Sequence, residues 1–232
     1  KAGNRLAIFK YANTLGNLGH SAASEHYWRI AVAAGDTNAA NNLANLLKNQ
    51  GRHDEVLPLY LESAEGGSFD AMQNIGIYIQ DEDPAGAEEW FLKSVAAGGV
   101  KACANLSLMY FNQGRLEEAF KYVELGIERG SIYAGTSAAM YYMNNEDWDS
   151  TLVAARRALT LANDENTEGQ AHPYKMIVVA LINLLRFEEA EKAIADCVSQ
   201  GIDGTDELVD WLKLMREANP EVEQGTSTPK SN

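Results

Sequence analysis

The sequence is poor in cysteine, proline and cations, and each shortage excludes something. Two cysteines occur in 232 residues, Cys103 and Cys197. Both sit in apolar helical patterns, with neither disulfide nor CxxC spacing, so two buried thiols in a reducing, cytoplasmic setting are expected. Five prolines and few β-branched clusters leave a chain rich in Ala, Leu, Glu and Asn, a composition that leans to helix. Lys and Arg number 19 against 33 Asp and Glu, a net charge of −14. That balance argues against nucleic acid, whose phosphates need a basic surface. No apolar run approaches the roughly eighteen residues of a membrane span, and no signal-like segment is present. The first residue is Lys1 rather than Met, and the sequence reads as part of a longer protein whose start could carry a targeting segment.

Catalytic and metal-binding patterns are equally scarce. The four histidines are His20, His26, His53 and His172, and no HxxxH or HExxH spacing exists among them. Neither cysteine has a neighbouring His or Asp in a hydrolase pattern, and neither a P-loop nor a dinucleotide fingerprint occurs. Trp28, Trp90, Trp148 and Trp211 fall where helix packing accounts for them. The sequence therefore predicts a protein that is not an enzyme, with no cofactor and no metal.

What the sequence does have is repetition. "AAGGVKACANLSLMYFNQGRLEEAF" (residues 96–120) has imperfect copies in "AEGGSFDAMQNIGIYI" (64–79) and "AAGDTNAANNLANLLKNQGR" (33–52). Aligned, they give a glycine comb at Gly3, Gly35, Gly67, Gly98 and Gly130, with an alanine four residues after each. A second comb, Gly19, Gly51 and Gly114, falls about halfway through its unit. Self-similarity at a 31- or 32-residue period is the signature of a solenoid, in which each unit stacks on its neighbours.

Each unit reads as two helices. The first carries apolar residues at three- and four-residue spacing, such as Leu106, Met109 and Tyr110. The second opens with carboxylates ("RLEEAF", "NEDWDS", "RFEEAE") that complement the positive end of a helix. Asp83 before Pro84 is a well-formed N-cap. Small–large–small triplets mark the packed face of the second helices: Ser24–Trp28–Ala31, Val56–Tyr60–Ser63, Ala87–Phe91–Ser94, Ala119–Val123–Gly126, Thr151–Ala155–Ala158 and Ala190–Ile194–Cys197. The sequence thus predicts an all-α, right-handed superhelix of about six helical hairpins over residues 1–219. A capping helix at about 204–219, with Thr205 or Asp206 as its cap, closes it. Residues 163–170 read as a polar insertion and 220–232 as a disordered polar tail. Residues 2–7 match 34–39, which places the start of the chain in an inter-unit turn.

Together these features make residues 5–200 resemble the tetratricopeptide repeat family and its Sel1-like relatives. "GRLEEAFKYVELGIERGSIYA" is similar to a tetratricopeptide second helix, whereas "WFLKSVAAGGVKACANLSLMY" is similar to a Sel1 unit. The period is shorter than the tetratricopeptide 34, and the longer Sel1 mid-repeat loop is absent.

Asparagine is the residue type that points to function. Asn42, Asn74 and Asn105 occupy equivalent places in first helices, and Asn13 and Asn45 form a second equivalent pair three residues on. Asparagine is a poor helix-interior residue because its amide competes for backbone hydrogen bonds. The resemblance implies that stacked first helices line a concave groove, where an amide can hold an extended peptide main chain through both donor and acceptor. The other reading of these residues is an internal ladder joining neighbouring helices. The resemblance also suggests a clamp for acidic C-terminal tails, built on two asparagines and three cations. Asn45, Asn74 and Lys101 match it, but Asn41 and Asn105 stand where cations belong, so recognition of that kind is not expected. The functional expectation is a protein- or peptide-binding scaffold. The alternatives are a structural or self-associating spacer and, from another class, an all-helical small-ligand sensor or enzyme.

Overall fold

The computed structural model describes residues 2–161 and 171–223; the insertion at 163–170 and all but the first residues of the tail lie outside them. Among the described residues every regular element is helical. The helices are α1 (Ala2–Asn17), α2 (Ser21–Ala33), α3 (Thr37–Asn49), α4 (Val56–Glu65), α5 (Phe69–Ile79), α6 (Pro84–Ala96), α7 (Lys101–Asn112), α8 (Leu116–Glu128), α9 (Ile132–Asn144), α10 (Trp148–Leu159), α11 (Ala171–Asn183), α12 (Phe187–Ser199), α13 (Thr205–Ala218) and α14 (Pro220–Glu223), with a 3-10 turn at His53–Glu55 before α4. Odd-numbered helices up to α11 are the first helices of hairpins and even-numbered ones up to α12 the second. Among the described residues none is long and apolar enough to cross a membrane.

Short-range chemistry sets the boundaries. Asp36 accepts from the amides of Asn38 and Ala39, and Ser68, Asp83, Ser131 and Asp147 each accept from the amide three residues on. Each such bond satisfies an orphan donor of the first turn. Apart from Gly3, which lies within α1, the glycines of both combs are in the left-handed region at helix ends, with φ from 72° at Gly114 to 99° at Gly98. At Gly67 the amide bonds Ala64 O while the Ser68 amide reaches Ser63 O, closing the helix as glycine can at little steric cost. Two turns of the same type lack glycine: Glu146 and Leu185 both take φ 57°.

The structure corrects two expectations at the ends. The segment equivalent to the Gly35 turn is already helical in α1, which starts at Ala2. Helix α13 has the expected span, but neither Thr205 nor Asp206 caps it. Its N-cap is Gly204 at φ 73°, and no side chain bonds the first turn.

The chain divides into two compact units, residues 1–102 and 103–232. In the first, Trp28, Leu43, Leu47, Tyr60 and Ile75 form a core from α2 to α5. Each such fully buried apolar side chain stabilises the fold by roughly 1.5–3 kcal/mol. In the second, Leu152, Val178, Leu181, Ile194 and Cys197 are buried together, and α13 lays Leu212 into the same core with Trp211 and Met215 beside it. Val222 of α14 also packs there, so residues 220–223, expected to belong to a disordered tail, are helical and held to the core. Contacts too close for a larger side chain hold hairpins together. A Cβ added at Gly76 would lie 2.5 Å from the Phe91 ring, and one at Gly126 would lie 2.3 Å from Ala134 Cβ.

Candidate functional site: the amide-bearing first helices

In α3 the buried residues are Ala39, Ala40, Leu43, Ala44 and Leu47, which turn toward the core. Asn38, Asn41, Asn42 and Asn45 follow the other side of the helix, Asn38 exposed and the other three half-buried. The spacing of the apolar residues therefore leaves a row of amides along one helix. Asn45 Oδ1 accepts a 2.6 Å hydrogen bond from the Tyr60 hydroxyl of α4, which leaves the Asn45 NH2 group as a donor. Burial, with Tyr78 nearby, pushes the Tyr60 phenol up to about 12.

The predicted ladder residues have different surroundings. Asn74 of α5 is half-buried and donates to Asn41 Oδ1 at 2.9 Å, an internal rung between neighbouring first helices. Asn42 is half-buried and Asn13 of α1 is exposed. In the second unit, Asn105 of α7 carries its Nδ2 buried and without a hydrogen-bond partner. A serine pair forms a comparable rung there. Ser107 and Ser137 Oγ atoms lie 2.6 Å apart, joining α7 and α9, and both hydroxyls also reach carbonyls of their own helices. The structure thus connects Asn74 to Asn41 and Asn45 to Tyr60; it does not bring Asn13, Asn42, Asn45 and Asn74 into a single bonded cluster.

Charge is distributed unevenly between the two kinds of helix. First helices carry the cations Arg5, Lys10, Lys48, Lys101 and Lys175 against one carboxylate, Asp70. The acidity lies on the second helices, above all α8 and α12. The first helices therefore combine amide groups with few carboxylates.

A recurring arginine went unread in the sequence. Arg52, Arg115 and Arg186 precede second-helix segments, have no side-chain capping bond, and bond through Nε to the glutamate three residues on: Glu55 at 2.9 Å, Glu118 at 2.9 Å and Glu189 at 2.7 Å. The signal was available as Arg-x-x-Glu in "GRHDE", "GRLEE" and "LRFEE". In the first unit the pair widens into a network, because Glu25 bonds both Arg29 and Arg52, and Glu55 bonds both as well. Burial pushes the Glu25 carboxyl up, but the two guanidinium bonds outweigh it and the net displacement is downward. Glu55 is displaced downward by its bonds to Arg29 and Arg52. Among the described residues no group of three His, Cys, Asp or Glu is placed to hold a metal ion.

Paired antiparallel helices at a constant period define the class: this is an all-α helical-repeat protein. The tetratricopeptide repeat family model matches residues 37–66 and 100–130, each a single hairpin, so two stretches of this chain are similar to tetratricopeptide repeats. No curated protein matches the sequence. Solved structures share the fold at low identity. PilW, a widely conserved type IV pilus biogenesis factor, aligns with a TM-score of 0.64 at 14% identity, covering 88% of this chain and 97% of its own. An assembly chaperone of RpL4 aligns at 0.59 and 14% identity, over 97% of this chain and 99% of its own. A tetratricopeptide repeat protein from Parabacteroides merdae aligns at 0.55 and 12% identity, over 98% and 94%.

Proposed function

We propose that this chain is a protein- or peptide-binding scaffold whose recognition face is built on its first helices. The observation that carries this reading is the row of amides on α3, where Asn42 is half-buried and Asn45 keeps a donor beyond its bond to Tyr60. Within the first unit, Asn13 and Asn74 add amides at repeat-equivalent positions. Asn74 contributes its remaining groups beyond the rung to Asn41. The ligand is an extended segment of protein, since spaced amides complement the alternating N–H and C=O groups of a main chain.

Selection of random 12-residue peptides displayed against the purified chain tests this. Enriched peptides are expected to weaken about thirtyfold against the Asn13→Ala, Asn42→Ala double variant, because two amide–backbone bonds of about 1 kcal/mol each are lost. Equal binding to both proteins defeats the reading. An empty selection together with concentration-dependent self-association in sedimentation assigns the chain an assembly role instead.

A further inference from the structure

Among the second helices, α10 stands apart in two respects. The large central residue of the packed triplet, Trp28, Tyr60, Phe91, Val123 or Ile194 elsewhere, is Ala155 here. Small side chains let α10 settle closely on α9: a Cβ added at Gly135 would lie 2.9 Å from Ala158 Cβ. Between α8 and α10, over the α9 residues Gly135, Ala138 and Tyr142, a cleft of about 460 Å³ remains. Phe120, Val123, Ile127 and Leu152 line it, and Val153 at its edge is 67% exposed. The cleft therefore presents apolar surface to solvent within the second unit.

The second distinction is charge. Of the second helices only α10 is net positive, with Arg156 and Arg157 against Asp149. The lining of the cleft gathers Arg156, Arg157 and Arg186 against Glu124 and Asp149, a net positive set in a chain whose overall charge is −14. Arg157 is paired with Glu124 through two bonds of 2.6 and 2.5 Å, Arg186 with Glu189 through two of 2.7 and 2.8 Å, and Arg156 with Glu189 by one long contact of 3.4 Å. Arg157 and Arg156 are 48% and 52% exposed, so both their pairs are open to solvent and screened by salt. Arg156 spends one long contact on Glu189 and retains most of its five donors.

We propose that this cleft is a second docking site, separate from the first-helix face, for an acidic peptide segment bearing one bulky apolar side chain. The apolar side chain enters between Phe120 and Val153. Flanking carboxylates bond Arg156, Arg157 and Arg186, and Glu124 is the internal competitor for Arg157. Charge complementarity selects this occupant, because the cleft lining is net positive where every other second helix is neutral or net negative.

A library of 12-residue peptides rich in Asp and Glu, each with one Leu, Phe or Trp, selected on the whole chain is the test. Enriched peptides are expected to bind saturably and to weaken about tenfold between 50 and 500 mM NaCl as charges are screened. They are also expected to weaken about tenfold in Arg156→Gln, Arg157→Gln and in Val153→Asp, surface changes whose unchanged thermal melts establish folding. Glu124→Gln is expected to tighten them severalfold, an effect that a purely structural Glu124–Arg157 pair would not produce. Binding to Asn13→Ala, Asn42→Ala is expected to be unchanged, which separates this site from the first-helix face. The proposal is overturned if no acidic peptide is enriched, if the arginine and Val153 variants bind as well as the parent, or if only the asparagine variant loses binding.

Discussion

The side-chain amide of Asn74 donates to Asn41 Oδ1 across 2.9 Å, tying α5 to α3 over 33 positions of sequence. One rung of the asparagine series is therefore used internally, while Asn105 Nδ2, at the equivalent position of α7, is buried without a partner. The same residue type at the same repeat position meets two different environments.

That difference gives opposite expectations for two identical substitutions. Asn74→Ala loses a hydrogen bond worth about 1 kcal/mol and regains several tenths from helix propensity, so stability should fall by roughly 0.5 kcal/mol. Asn105→Ala removes an unsatisfied buried donor and adds the same propensity gain, so stability should hold or rise by up to about 1 kcal/mol. Urea unfolding of the two variants measures both. A clear loss in both variants, and in Asn42→Ala, would mean that the whole series is internal and would remove the amides from the proposed binding face.

Glu146 takes φ 57° at the turn where Gly19, Gly51 and Gly114 stand in other repeats. A residue with a Cβ there costs on the order of 1–2 kcal/mol. Glu146→Gly should raise stability by about 0.5–1 kcal/mol after the entropic cost of glycine in the unfolded chain. Leu185, also at φ 57°, packs on the core of the second unit, so Leu185→Gly should not gain. A thermal melt in which Glu146→Gly lowers the midpoint would contradict the strain argument.

Tyr60 links stability to alkaline pH. Its phenol is fully buried, bonded to Asn45, and pushed by burial from an ordinary 10 up to about 12. The folded state holds this proton more tightly than the unfolded state, so the contribution is complete below pH 10 and is lost as pH rises through 12. Parent and Tyr60→Phe melts should converge over that window, with a differential of about 3 kcal/mol at most. At the acid end the sign reverses. Glu25, Glu55, Glu124 and Glu189 are all displaced downward, so their contributions are present above pH 4.5 and are lost as pH falls below it. A parent–Tyr60→Phe difference that stays constant from pH 9 to 12 would remove Tyr60 from this account.

The hairpins were legible because their signals are local. Glycine at a fixed offset, Asp or Ser one residue before a helix, and the apolar period of α3 each act over a few residues of chain, so the sequence shows them directly. The Arg-x-x-Glu pairs were equally local and simply went unread.

By itself the sequence determined the repeat period, the span of α13 within a residue or two, and the packed face of the second helices, since all three depend on spacing along one chain. Only the tertiary structure decided where polar groups end. Whether Asn74 meets Asn41 or solvent, and whether Asn105 meets anything, depends on distances between helices some thirty residues apart, and a hydrogen bond exists or vanishes within a few tenths of an ångström. The cleft beside α10 belongs to the same category: Ala155 is visible in the sequence, but the space left between α8 and α10 exists only once Gly135 and Ala158 have been brought together.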